Sequence, residues 1–99
     1  MITAIRTANA IPGKIGQALI WGKEVATIAE RVTGKKVAMS VSFGGATGGI
    51  AWTWQFDNAG QVEDALSKLM ADRDYLTAIA KAESLLVPGS VQDQMWRQV

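Results

Sequence analysis

The stretch that most constrains the fold is residues 37–56, which has the pattern of two strands joined by a glycine-rich turn. Apolar residues alternate strictly with small or polar ones over 37–43 and again over 50–56, which is typical of strands with one buried face. The apolar positions are Val37, Met39, Val41, Phe43, Ile50, Trp52, Trp54 and Phe56. If Phe43 lies opposite Ile50, all eight share one face of a β-hairpin.

The chain on either side of the hairpin completes a β-α-β-β-α-β order. We predict strands over 2–11 and 91–99, a helix over 14–32 and a second helical region over 59–86. One unbroken helix over that last region would be about 42 Å long, which is too long for this chain, so we expect a break with Asp72 as the cap of the final segment. Asn58 is the predicted N-cap of the segment before it. The order predicts a single α+β domain over residues 1–99, a ferredoxin-like four-stranded antiparallel sheet with helices on one face.

The sheet face away from the helices is predicted to be polar. In the first strand we expect Ile5 and Ile11 toward the core and Arg6 on the opposite face, because a charge is costly beneath a helix layer. Small and polar residues of this predicted face suit a wet interior between two sheets, and they are our candidate ligand-binding residues. The set is Arg6, Ser40, Ser42, Thr53, Gln55, Gln94 and Trp96. Asn9 is a further candidate if the faces of the first strand are reversed.

Composition argues against several classes of function. The chain has no histidine and no cysteine, so the commonest general base and the usual zinc ligands are absent, and we expect neither a metal nor a cofactor. The net charge is +1 and the basic residues are scattered, which is unlike a nucleic-acid-binding protein. The sequence also lacks an apolar run of about 20 residues and a signal-peptide pattern, so we expect a cytoplasmic protein without a membrane partner.

The turn at 44–49 has the sequence GGATGG, which invites comparison with phosphate-binding loops. It lacks the Gly-Lys-Ser/Thr ending of such loops, and a strand rather than a helix follows it. We therefore expect a mobile hairpin loop.

Several short motifs resemble the NIPSNAP-like branch of the dimeric α+β barrel superfamily. They are Ile5-Arg6-Thr7 followed by Ile11-Pro12-Gly13-Lys14, the break Ala71-Asp72-Arg73-Asp74-Tyr75-Leu76, and the closing strand at 91–97. The resemblance implies a homodimer in which the sheets of two copies face each other as a barrel.

Two functions fit these expectations. The favoured one is a homodimeric barrel that binds a small organic ligand in the polar lumen between two sheets, because no pair of carboxylates is placed by spacing for acid–base catalysis. The alternative, by resemblance, is a cofactor-independent monooxygenase acting on an electron-rich aromatic or polyketide-like substrate. In that case Arg6 would pair with a substrate anion, Gln55 or Gln94 would donate hydrogen bonds, and Trp96 would stack. Whether the protein is an enzyme stays open at this point.

Overall fold

The structure is a computed structural model that describes residues 1–45 and 47–99. The elements in this part of the chain are β1 (Ile2–Asn9), α1 (Ile15–Thr33), β2 (Ala38–Val41), β3 (Gly49–Phe56), α2 (Ala59–Met70), α3 (Arg73–Ala80), a 3₁₀ turn (Lys81–Ser84) and β4 (Gln92–Arg97). The strands form one antiparallel sheet in the order β2-β3-β1-β4. The helices cover one side of it, here called the inner face, and the opposite side is the outer face. This is the ferredoxin-like α+β fold that the sequence predicts.

The helices begin and end at the residues that local sequence signals indicate. The Asn58 side chain accepts a hydrogen bond from the backbone N–H of Gln61 at 3.0 Å, which caps α2. The Asp72 side chain accepts from the N–H of Tyr75 at 2.9 Å, so the predicted break between α2 and α3 is confirmed. Gly34 ends α1 with φ of 71°, in the left-handed region that favours glycine.

The register predicted for the hairpin was wrong by two residues. Val41, not Phe43, lies opposite Ile50. Pairing stops at Val41 because the chain turns away soon after it, with a positive φ of 87° at Gly44, and Phe43 is fully exposed. A shift of two positions leaves each side chain on its predicted face, since the period of a strand is two. Ala46 of the predicted turn lies outside the described residues.

The faces predicted for the first strand were also wrong. Ala4 and Ala8 are buried beneath the helices, and alternation puts Arg6 on the same inner face. Ile5 points to the outer face, and both Ile5 and Ile11 are only half-buried. The prediction kept the charge of Arg6 away from the helices and put the isoleucines beneath them, whereas small side chains are what allow a helix to pack close to a strand.

Helix α1 makes a close approach to the sheet at Gly22. A methyl group added there would lie 2.7 Å from Cε of Met39 and 3.3 Å from the ring of Trp52. The indole N–H of Trp52 donates to the Gly22 carbonyl at 3.0 Å, which fixes the helix against β3. Glycine therefore sets the distance between the first helix and the sheet at this point.

The best-buried aromatic residue provides a test of the core. Phe56 is 2% exposed and packs with Ile2 and Val62, so Phe56→Ala should lower the free energy of unfolding by about 3–5 kcal/mol. Phe43→Ala is the matched control, because the exposed Phe43 should change stability by no more than about 0.5 kcal/mol. Urea unfolding followed by circular dichroism measures both. Equal losses in the two variants would contradict this assignment of the core.

Candidate ligand cavity between the helices and the sheet

A cavity of about 240 Å³ lies between the helices and the inner face of the sheet. Its lining is mostly apolar and comes from α1, α2, α3 and all four strands or the segments next to them. Among the lining residues are Trp21, Val25, Ala29, Trp52, Trp54 and Leu66. Residues of β4 also line it, and all six residues of that strand are exposed, so the cavity opens toward β4.

Two of the three tryptophans in the aromatic wall of the cavity are already satisfied in their hydrogen bonds. Trp21 and Trp52 meet edge to face with ring centroids 5.8 Å apart. The Trp21 indole N–H donates to the carbonyl of Ala78 at 2.7 Å, and that of Trp52 donates to Gly22 at 3.0 Å. Because both N–H groups are engaged within the protein, these rings offer the cavity apolar contact.

One end of the cavity is polar. The β1 residue Arg6 lies opposite Asp93 of β4, and the two side chains form a bidentate ion pair. Nε of Arg6 is 2.7 Å from Oδ1 of Asp93, and Nη2 is 2.8 Å from Oδ2. Their side chains are 38% and 60% exposed. The buried Tyr75 of α3 also lines the cavity and lies within electrostatic range of Arg6. The polar end therefore combines a guanidinium group, a carboxylate and a phenol.

The ionisation states at this end follow from these contacts. The hydrogen bonds from Arg6 lower the pKa of the Asp93 carboxyl below its usual value, against a smaller opposing effect of burial. The same hydrogen bonds raise the pKa of Arg6. Burial raises the pKa of the Tyr75 hydroxyl, and the nearby guanidinium offsets part of that rise. At neutral pH the cavity thus faces a charged pair of zero net charge and a protonated phenol.

Most of the candidate residues from the sequence lie elsewhere, on the outer face. The register and the alternation of the strands put Ser40, Thr53, Gln55, Gln94 and Trp96 there. In a single chain they form an open surface rather than a pocket, although Gln94 also borders the cavity. The Trp96 indole donates to the Gln94 side chain at 3.3 Å.

The other three candidates occupy different places. Ser42 follows the end of β2 and is exposed, with its backbone N–H donating to the Gly49 carbonyl at 2.9 Å. Arg6 is on the inner face, so its predicted position on the outer face was wrong. We expected no charge beneath the helices, but Arg6 is tolerated there because it forms an ion pair with Asp93 at the open edge of the helical layer. Because the faces of the first strand are the reverse of those predicted, Asn9 lies on the outer face at the end of β1, where it is exposed.

The candidates from the sequence do not include Trp21, Tyr75 and Asp93, which all line the cavity. Tyr75 was named only within the motif of the predicted helix break. Asp93 was left out because the polar face of β4 was identified from its glutamines. The available signal was the alternation itself, which puts Asp93 on the face opposite Gln94.

Candidate membrane spans and candidate metal sites are absent from residues 1–45 and 47–99. None of the helices there is long and apolar enough to cross a membrane. Within the same residues, no group of three or more Asp or Glu side chains is arranged to hold a metal ion.

Comparison with known proteins gives structural neighbours but no sequence match. No family model matches the chain, and no curated protein matches it in sequence. A NIPSNAP family protein of unknown function from Agrobacterium tumefaciens superposes with a TM-score of 0.85 at 22% identity, covering 100% of this chain and 88% of that one. An uncharacterised NIPSNAP domain protein from Burkholderia xenovorans gives 0.85 at 14% identity, covering 100% and 95%. A candidate antibiotic biosynthesis monooxygenase from Deinococcus radiodurans gives 0.75 at 16%, covering 100% and 93%.

The chain shares their fold. The NIPSNAP-like resemblance of the short motifs is thereby confirmed at the level of the fold, over the whole length of the chain.

The ion pair of Arg6 and Asp93 should make stability depend on pH in acid. Because the pKa of Asp93 is lowered in the folded state, the stabilisation is present above the unfolded pKa and is lost as pH falls through the lowered value. Near pH 7 the unfolding free energy of wild type should therefore exceed that of Asp93→Asn. The difference should be less than about 1 kcal/mol because the pair is so exposed, and it should vanish in strong acid. Urea unfolding at several pH values measures this, with Glu63→Gln as a control for overall charge. A difference that grows as pH falls would contradict the assignment.

Proposed function

We propose that this protein binds a small, largely apolar organic ligand in the cavity between the helices and the inner face of the sheet. The observation that carries the proposal is a preformed cavity of about 240 Å³ with an aromatic wall and one polar end. Small-molecule sites commonly have this character, with a mostly apolar lining and a few polar groups that fix orientation. An apolar cavity of roughly 150 Å³ admits benzene, so a ligand of one or two rings fits this one.

The energetic cost of an empty cavity also supports binding. Unfilled apolar volume in a core costs about 24 cal/mol per Å³, so a closed cavity of this size would cost on the order of 6 kcal/mol. Small domains have total stabilities of about 5–15 kcal/mol. Because the cavity opens toward β4, this figure is an upper limit that applies only to the part from which water is excluded. A ligand that fills the space would recover that contribution.

The ligand site of this proposal differs from the one that the sequence favoured. The sequence suggested a polar lumen between two sheets, with Arg6 among its residues. Arg6 instead lies beside the inner cavity, together with Asp93 and Tyr75. The strongest concentration of charge and aromatic surface is thus on the helix side of the sheet, and the ligand is proposed there.

Cofactor-independent oxygenation is a second candidate, favoured by the position of Arg6 and Tyr75 beside an apolar wall, where they would stabilise an enolate or phenolate. It ranks second because Asp93, with its lowered pKa, is a weak general base.

Oxygenation can be tested with anthrone, which with O₂ would give anthraquinone and water. An oxygen electrode measures the uptake of O₂ without added cofactor. Uptake above the chemical background that Arg6→Gln abolishes would favour the enzyme, and uptake at background would leave the binding function.

We further propose that two copies pair through their outer faces. The strands of four to eight residues give an outer face of roughly 400 Å² from their rise and spacing, or roughly 800 Å² for two copies. Specific interfaces bury more than about 1,000 Å², so a large side chain must supply the remainder. Trp96 is 62% exposed on this face and is of the type that anchors interfaces. The face otherwise carries residues such as Thr53 and Gln55, which suit a partly wet contact.

Ligand binding can be tested with 2-naphthol as the probe in isothermal titration calorimetry. Leu66 is 40% exposed and lines the cavity, so Leu66→Trp should fill part of it and weaken binding at least about tenfold. Leu76→Trp is the matched control, because Leu76 is 41% exposed on α3 and outside the cavity lining. Binding that is unaffected by Leu66→Trp, or absent in wild type, would contradict the proposed site.

The dimer can be tested on β4, where adjacent residues face opposite sides of the sheet. Wild type should scatter light at about twice the 10.6 kDa chain mass at micromolar concentration. Trp96→Glu should give the mass of one chain with unchanged circular dichroism, because the charge would be buried in the interface. Met95→Glu is the control, since Met95 is 65% exposed but on the inner face. A wild-type monomer, or equal effects of both variants, would overturn pairing through the outer face.

A further inference from the structure

The ion pair at the open end of the cavity leaves hydrogen-bonding capacity for a ligand. A guanidinium group has five N–H donors, and Asp93 takes two of those on Arg6, one from Nε and one from Nη2. The Tyr75 hydroxyl adds a group that both donates and accepts. The Asp93 carboxylate retains lone pairs and is 60% exposed. The polar end therefore offers both donors and acceptors to an incoming group.

The charge at this end is balanced before any ligand arrives. An anionic ligand that reaches Arg6 must also lie close to the Asp93 carboxylate, because the two side chains are in contact at 2.7 and 2.8 Å. Repulsion from Asp93 then offsets the attraction of Arg6. A ligand hydroxyl meets no such conflict, since it can donate to Asp93 and accept from Arg6 or Tyr75.

Arg97 is the other charged residue on the inner side of β4 that needs to be considered. It lies four residues beyond Asp93, roughly 13 Å along an extended strand, and is outside the cavity lining. Exposed charges at that distance are largely screened at physiological salt. The local balance is thus set by Arg6 and Asp93.

We propose that Asp93 is a specificity residue that restricts the cavity to uncharged ligands with a hydroxyl or carbonyl group, and that without its charge the cavity accepts carboxylates. This specificity rests on the proposed ligand-binding function, and it further specifies the charge and the polar group of the ligand. The apolar wall would hold the ring system, and the polar end would hold the neutral oxygen. Arg6 is then the group that contacts the ligand oxygen, and Asp93 decides which charge that oxygen can carry.

The test compares two probes of nearly equal size, 2-naphthol and 2-naphthoate, by isothermal titration calorimetry at pH 7 and low salt. Wild type should bind the naphthol at least about tenfold more tightly than the carboxylate, because like charges placed together are strongly unfavourable. Asp93→Asn keeps the shape of the side chain and one acceptor oxygen, and it should raise the affinity for 2-naphthoate relative to that for 2-naphthol at least about tenfold. Adding Arg6→Gln to Asp93→Asn should remove the gain for the carboxylate.

A matched control separates the local effect from the change in net charge. Asp74→Asn also removes one negative charge, but Asp74 is an exposed residue of α3 paired with Arg31 and lies outside the cavity lining. It should leave the ratio of the two affinities unchanged. If Asp93→Asn fails to fold by circular dichroism, Asp93→Thr, which suits a strand, is used in its place.

The outcomes distinguish the two levels of the proposal. If both probes bind wild type equally and Asp93→Asn leaves their ratio unchanged, the specificity role is overturned while ligand binding stands. The same conclusion follows if Asp74→Asn shifts the ratio as much as Asp93→Asn does. If neither probe binds any folded variant, the proposed cavity function fails and the specificity role fails with it.

Discussion

The packing distance between α1 and the sheet is the constraint on which the rest of the structure depends. At Gly22 the helix backbone approaches β3 closely enough that Trp52 donates to the glycine carbonyl. On the inner face of β1, the small residue Ala8 lies in the same core cluster as Trp52 and α1, and Ala4 lies in a second cluster with residues of α2. The indole of Trp52 meets Trp21 edge to face and also lines the cavity. Trp52 therefore belongs both to the close contact with α1 and to the wall of the cavity.

Charged side chains are tolerated on the inner face of the sheet only near the open edge of the helical layer. All six residues of β4 are exposed, and the pair of Arg6 and Asp93 lies along this edge. Deeper under the helices an ion pair would lose hydration that its mutual attraction barely repays. At the edge each partner keeps part of its water, so the charges are tolerated next to an apolar cavity. The result is a cavity with a dry aromatic wall and a hydrated polar end.

Much of the fold was predictable because its signals are local. The caps at Asn58 and Asp72 depend on neighbours within three or four residues, and both were identified from sequence. The hairpin pattern correctly gave the faces of β2 and β3 but not their register, because the register depends on how the glycine turn is shaped. The first strand was inverted because, apart from Ile2, its buried positions are alanines, which are selected by space rather than by hydrophobicity.

The candidate site was harder to predict because its parts are distant along the chain. Arg6 was identified as a site residue, but its partner Asp93 is 87 positions away and is brought beside it only by the pairing of β1 with β4. Tyr75 reaches the cavity through the orientation of α3, which follows the cap at Asp72. Spacing rules describe neighbours on one element, so a site assembled from β1, α3 and β4 is invisible to them until the topology is known.

The ion pair shows why stability and specificity need separate explanations here. Two side chains that are 38% and 60% exposed contribute little to folding, since screening by water and salt reduces their attraction. A ligand bound there as proposed would displace the water that screens the pair. The electrostatic effect of the pair is therefore small in the free protein and would be larger with an apolar ligand bound. Under the proposed function, the pair would act on which ligand binds more than on whether the chain folds.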